Sequence, residues 1–183
     1  MQTVKMVVTG PFSAGKTEFI QSVSEIDVVS TERKISSSAE RSVKEATTVA
    51  MDFGRITVDE DLVLYLFGTP GQDRFWFMWD ELARGALGAV VLADTRRLAD
   101  CFPSVDYFER RAIPFVVAVN CFEGARRYRG KDVQTALDLD PEVPVILCDA
   151  RHSTSGRDVL VSLVEHALVM MSGHRSAPAV PAP

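Results

Sequence analysis

Residues 10–17 read GPFSAGKT; they close the apolar run VKMVVTG (4–10) and open a stretch, 16–25, with helical spacing. Gly, four residues, Gly, Lys, then Ser or Thr between a strand and a helix is the pattern of a phosphate-cradling loop. The physics needs each part. Glycines let the backbone wrap round phosphate oxygens, successive N–H groups point inward, and the helix N-terminus adds its positive end. Lys16 is then expected to reach the β- and γ-phosphates, and Thr17 to offer its hydroxyl to Mg²⁺. The nucleotide-contacting set read from this stretch is Gly10, Ser13, Ala14, Gly15, Lys16, Thr17 and Glu18.

Outward from this loop, short runs rich in β-branched residues recur: 48–58, 62–68, 88–94, 113–120 and 143–149. Most are apolar on both faces, and helical patterns near 73–86, 98–110, 131–138 and 154–171 alternate with them. Such alternation predicts an α/β fold: a mostly parallel six-stranded sheet with helices on both faces. Ligands then bind at the carboxyl ends of the strands. The run LVLYLFG (62–68) ends in TPGQ (69–72), which brings Gly71 and Gln72 to such an end. Lacking a Cβ, Gly71 is suited to bring its N–H against a γ-phosphate. Gln72 is suited to orient an attacking water. With Lys16, it is the catalytic candidate.

Bulk properties exclude several classes. The chain has 183 residues, enough for one well-cored domain, expected over 1–172, with a disordered tail over 173–183. A net charge of -5 argues against nucleic acid as a partner. Cys101, Cys121 and Cys148 are widely spaced and suggest neither a disulfide framework nor a zinc site. Neither a signal peptide, a membrane span nor a lipidation motif is legible, so the expectation is a cytoplasmic protein with no direct membrane anchor.

From Thr48 onward, the text TVAMDFGRITV, LVLYLFGTPGQDRF and ARGALGAVVLADT resembles the switch I, hairpin, switch II and following strand of Ras-like small GTPases. The resemblance spans about residues 4 to 170. It implies a P-loop NTPase G domain that binds GTP and GDP with Mg²⁺. In that likeness Thr48 is a switch I threonine that binds Mg²⁺ through its hydroxyl and the γ-phosphate through its N–H, so the implied metal ligands are Thr17 and Thr48. TPGQ is similar to the corresponding text of bacterial MglA-like GTPases and of the GTPases of actinobacterial conservon operons. This implies a roadblock-type regulatory partner and a membrane histidine-kinase-like protein.

Guanine is read in that family by N-K-x-D and S-A-K; the matching texts here are NCFE (120–123) and DAR (149–151). Asn120 is kept, Glu123 can accept from guanine N1 and N2, and the Ala150 N–H can donate to O6. Cys121 lacks the lysine stem that covers the base, a place Arg151 can take by stacking. Two further departures stand out. The family's metal-holding aspartate before switch II is Gly68, which leaves metal binding weaker, or helped by Asp52 or Asp94. Phe12 puts a bulky ring where a small residue leaves room for the catalytic glutamine, and Arg41 or Lys44 are candidates for a charge supplied in cis.

The leading expectation is a slow, partner-dependent GTPase switch. The alternatives are a pseudo-GTPase that binds nucleotide with negligible hydrolysis, and a P-loop ATPase or phosphotransferase. In the aromatic run FWFMW (75–79), spacing predicts Phe75, Met78 and Trp79 toward the core, with Trp76 and Phe77 nearer the surface.

Overall fold

The alternating apolar runs fold as their pattern dictates. In the computed structural model, which describes residues 1–30, 51–70 and 77–174, the phosphate-loop strand β1 (Gln2–Thr9) lies mid-sheet. The elements that follow are α1 (Lys16–Val23), β2 (Val29–Ser30), β3 (Asp52–Thr57), β4 (Leu62–Gly68), α2 (Trp79–Ala83) and β5 (Gly88–Ala93). A 3₁₀ segment (Thr95–Cys101) leads into α3 (Phe102–Arg110), β6 (Phe115–Asn120), α4 (Gly130–Ala136), β7 (Val145–Cys148) and α5 (Ser153–His174). All six expected strands are present. A seventh, the two-residue β2, is added at one edge.

The sheet order is β2-β3-β4-β1-β5-β6-β7. Strands β4, β1, β5, β6 and β7 are mutually parallel, whereas β3 runs antiparallel to both β4 and β2. Every residue of β5 and β6 is buried, which is why neither shows a polar alternation. The two faces still separate by the strand period of two. Val7, Val91 and Val117 pack with Trp79, Phe108 and Leu137 on one side. Met6, Val8, Val90 and Leu92 pack with Phe19, Ile20 and Leu163 of α1 and α5 on the other. Each such side chain contributes about 1.5–3 kcal/mol of burial.

Where the sequence runs FWFMW, Trp79 is buried and Phe77 is 70% exposed, as the spacing requires. Phe75 and Trp76 lie outside the described residues. Helix α2 is anchored to α3 by Asp80, whose carboxylate accepts from the Tyr107 hydroxyl (2.7 Å) and the Arg111 guanidinium (2.8 Å). Helix α5 continues to His174; the sequence beyond it lies outside the described residues. Among the described residues no helix is long and apolar enough to cross a membrane.

Candidate functional site

Five chain segments meet at the carboxyl ends of β1, β4, β5, β6 and β7. The loop after β1 turns at Gly10 and enters α1 at Lys16, with Gly15 in the left-handed region (φ 99°). A Cβ on Gly15 would stand 2.5 Å from Asn120 Nδ2, so glycine is required there on both counts. Asn120, 7% exposed, holds the site together. Its Nδ2 donates to the Ala14 carbonyl (3.1 Å), and its Oδ1 accepts from the Ala150 N–H (3.1 Å). The retained asparagine therefore links the phosphate loop to the loop after β7.

Lys16 donates from Nζ to the carbonyls of Gly10 (2.9 Å) and Pro11 (2.8 Å). Burial lowers its pKa to about 8, although the nearby carboxylates of Asp52 and Glu18 pull in the opposite direction. A desolvated ammonium at the N-terminus of a helix is suited to a polyphosphate.

The Thr17 hydroxyl donates to Asp52 Oδ2 at 2.6 Å. This follows from register. Phe53 pairs with Phe67 across the antiparallel β3–β4 hairpin, so the next pair sets Asp52 opposite Gly68. A Cβ on Gly68 would lie 3.1 Å from Asp52 Cβ and 3.1 Å from Ile20 Cδ1. The carboxylate missing from β4 is thus matched by one on the neighbouring strand, in the space that glycine leaves. Asp94 is committed elsewhere: its side chain accepts from the backbone N–H of Arg96 (2.9 Å) and from the Arg96 guanidinium (2.7 Å). Those bonds hold its carboxyl below the usual range.

The end of β4 is fixed as well. Thr69 is buried, with its N–H on the Val8 carbonyl (2.9 Å) and its hydroxyl on that of Thr9 (2.9 Å). Gly71, Gln72, Thr48, Arg41 and Lys44 lie outside the described residues. Phe12 is 62% exposed, and its carbonyl accepts from the Arg97 guanidinium at 3.1 Å. That is a cation beside the phosphate loop which the sequence reading did not name.

Between these loops lies a cavity of about 410 Å³. Ser13, Gly15, Glu18, Asn120, Glu123, Ala150 and Arg151 line it, so the described base-side candidates converge with part of the phosphate loop. Arg96, Cys121, Phe122 and Asp149 complete the lining. Arg151 is clamped onto Asp149 through Nε (3.0 Å) and Nη2 (2.8 Å), which depresses the Asp149 carboxyl strongly. Among the described residues Glu123 makes no ion pair. A larger hollow of about 710 Å³ lies between α4 and the segment leading into β7, and none of its lining belongs to the loops around Lys16.

Arg96 and Phe122 were missed from sequence, yet a signal was present. The text D-x-R ends both β5 (94–96) and β7 (149–151), each time with the arginine folded back onto its own aspartate.

Among the described residues no cluster of three or more His, Cys, Asp or Glu is poised to hold a metal. The donor set nevertheless fits Mg²⁺. A threonine hydroxyl and a carboxylate oxygen in contact at a helix N-terminus are hard oxygen ligands, and Mg²⁺ takes one or two of these beside phosphates and water.

Comparison with known proteins agrees with this architecture. The model of a family described as conserved hypothetical ATP binding protein matches residues 8–170. An uncharacterized protein of Methanocaldococcus jannaschii is 29% identical over 119 residues, 64% of this chain and 69% of that one. The G domain of the T. maritima FeoB iron transporter superposes with a TM-score of 0.65 at 16% identity, covering 91% of this chain and 99% of that one. The cytosolic domain of the same transporter in a GDP form gives 0.66 at 16% identity, and there the chain spans 64% of the solved protein. At such identities the likeness is one of fold. The chain belongs to the family of conserved hypothetical ATP-binding proteins, with the fold of a P-loop G domain.

Proposed function

We propose that the protein is a guanine-nucleotide-dependent switch, which binds GTP with Mg²⁺, hydrolyses it slowly and signals to protein partners. The observation that carries the base assignment is the Glu123 carboxylate on the wall of the cavity that also receives Gly15 and Asn120. A carboxylate only accepts hydrogen bonds. Guanine offers two donors side by side, N1–H and the 2-amino group, whereas adenine presents an acceptor at N1. Of the other two carboxylates lining the cavity, Asp149 is occupied by Arg151, and Glu18 belongs to the first turn of α1, on the phosphate side.

In this reading the α1 N-terminus and Lys16 hold the phosphates. Thr17, Asp52 and Thr48 would hold Mg²⁺, which when bound would offset negative charge on the phosphates. Gln72 orients the attacking water, and Gly71 contributes its N–H to the γ-phosphate. Hydrolysis is slow because Phe12 crowds the site. A finger arginine typically contributes roughly 10³ to 10⁵ in rate; Arg97 beside the phosphate loop is engaged by the Phe12 carbonyl and by Asp100, so a partner supplies that charge. The segments around Thr48 and Gln72 respond to γ-phosphate, and a roadblock-type protein reads the difference. A membrane histidine-kinase-like partner would bring a cytoplasmic chain to the membrane.

The family description favours a second reading, an ATPase using the same phosphate loop. Glu123→Ala separates the two. The switch reading expects GTP affinity to fall by about 10- to 100-fold, from the loss of charge-assisted hydrogen bonds, with ATP affinity unchanged. Equal effects on both nucleotides, or none, would remove Glu123 as the reader. Bound GTP left intact over hours in a single-turnover assay would instead favour a pseudo-GTPase.

A further inference from the structure

The base cavity lacks the lysine stem expected beside Asn120, because Cys121 stands there. Arg151, the substitute suggested by sequence, has its guanidinium turned onto Asp149. Another planar cation lines the same cavity from the neighbouring strand end. Arg96 follows β5, which lies beside β6 in the sheet, and its guanidinium carbon is 4.2 Å from the centroid of the Phe122 ring. Both residues belong to the cavity wall, together with Gly15, Asn120 and Glu123.

What Arg96 can offer a ligand is limited by what it already binds. Its Nε donates to Asp94 Oδ1 (2.9 Å) and approaches Oδ2 (3.2 Å), while Nη2 donates to Oδ2 (2.7 Å). Asp94 is 5% exposed and also accepts from the Arg96 backbone N–H. One of the two edges by which the guanidinium could fork a phosphate is therefore in use, and its charge is offset by an adjacent carboxylate. What is left is the Nη1 side and a flat π-surface, the latter backed by an aromatic ring and fixed in orientation before any ligand arrives. Such a surface suits a flat aromatic ligand better than an anion.

We propose that Arg96, backed by Phe122, is the plane on which the nucleobase stacks, taking the place of the lysine absent at Cys121. This rests on reading the cleft as a nucleotide site, but not on which purine it prefers. Stacking is indifferent to the hydrogen-bonding edge of the base.

Calorimetric titration of the full chain with GDP, ADP and inorganic pyrophosphate, all with Mg²⁺, tests it. In Arg96→Ala, GDP and ADP affinities should each fall by about 10- to 100-fold, by the same factor, while pyrophosphate affinity stays at the wild-type value. Adding Cys121→Lys to that variant should recover part of the loss. Arg96→Lys keeps a cation for Asp94 and so guards the fold, but it lacks the plane and should lose nearly as much. Wild-type GDP affinity in a folded Arg96→Ala or Arg96→Lys protein overturns the proposal. So does an equal loss of GDP and pyrophosphate, which would place Arg96 with the phosphates. Failure of the underlying reading looks different: wild-type protein would bind GDP and ADP no more tightly than pyrophosphate.

Discussion

Lys16→Ala is expected to abolish nucleotide binding while leaving the sheet intact. The ammonium donates to two carbonyls of its own loop, and in the proposed complex those donors pass to phosphate oxygens. Hydrogen bonds to charged groups are worth about 1.5–3 kcal/mol each, so two of them correspond to roughly 10² to 10⁴ in affinity. Fluorescence titration with a labelled guanine nucleotide measures this, and wild-type affinity in the variant would refute the phosphate-loop assignment. A pH signature accompanies it. Burial lowers the Lys16 pKa to about 8, below that of a free lysine, so between those two values the unfolded chain holds more protons than the folded one. Stability of the nucleotide-free protein should therefore gain a contribution as pH rises from about 8 toward 10.5, and Lys16→Ala should lack it. Denaturant melts across that range read the difference.

The second large effect concerns Asp52. With its Oδ2 on the Thr17 hydroxyl, it is the carboxylate proposed to hold the metal, and Asp52→Asn should raise the Mg²⁺ midpoint for GTP binding by about 10- to 100-fold. Gly68→Asp alone should not tighten the metal, although the resemblance to Ras-like GTPases implies that it would. The added Cβ would crowd Asp52 and Ile20 at 3.1 Å, and two carboxylates would compete for one place. Moving the carboxylate, with Asp52→Gly and Gly68→Asp together, should recover most of the lost Mg²⁺ affinity. Tighter Mg²⁺ binding in Gly68→Asp, with Asp52→Asn silent, would show that the site lacks a carboxylate and that Asp52 serves only the fold.

Why Asp52 stood level with Asp94 in the sequence, and not in the structure, is a matter of register. Both end or begin an apolar run, and nothing in the text says which faces Thr17. A slip of one residue in the β3–β4 pairing would turn Asp52 to the opposite face, and the pairing is fixed by packing that the sequence does not spell out. The phosphate loop and the six main strands were legible because their signals are local: two glycines and a lysine at fixed spacing, and continuous β-branched runs. The edge strand Val29–Ser30 was not, since two residues carry no periodicity. Among the described residues helix α2 runs from the buried Trp79 to Ala83 and stops short of residue 86, where the helical pattern ends. Arg96 is not legible as part of the cavity wall because the base-reading texts lie on the loops after β6 and β7, whereas it is the sheet order that brings the end of β5 beside β6.

The central claim is that the cleft prefers guanine and uses Mg²⁺ to hold the triphosphate. Competition of GTP against ATP for the wild-type chain, repeated across an Mg²⁺ titration, addresses both parts in one measurement. The account predicts that GTP displaces a labelled guanine nucleotide at far lower concentration than ATP does, and that this advantage strengthens in absolute affinity as Mg²⁺ is raised. Displacement by ATP at equal or lower concentration, or GTP binding indifferent to Mg²⁺, would contradict it.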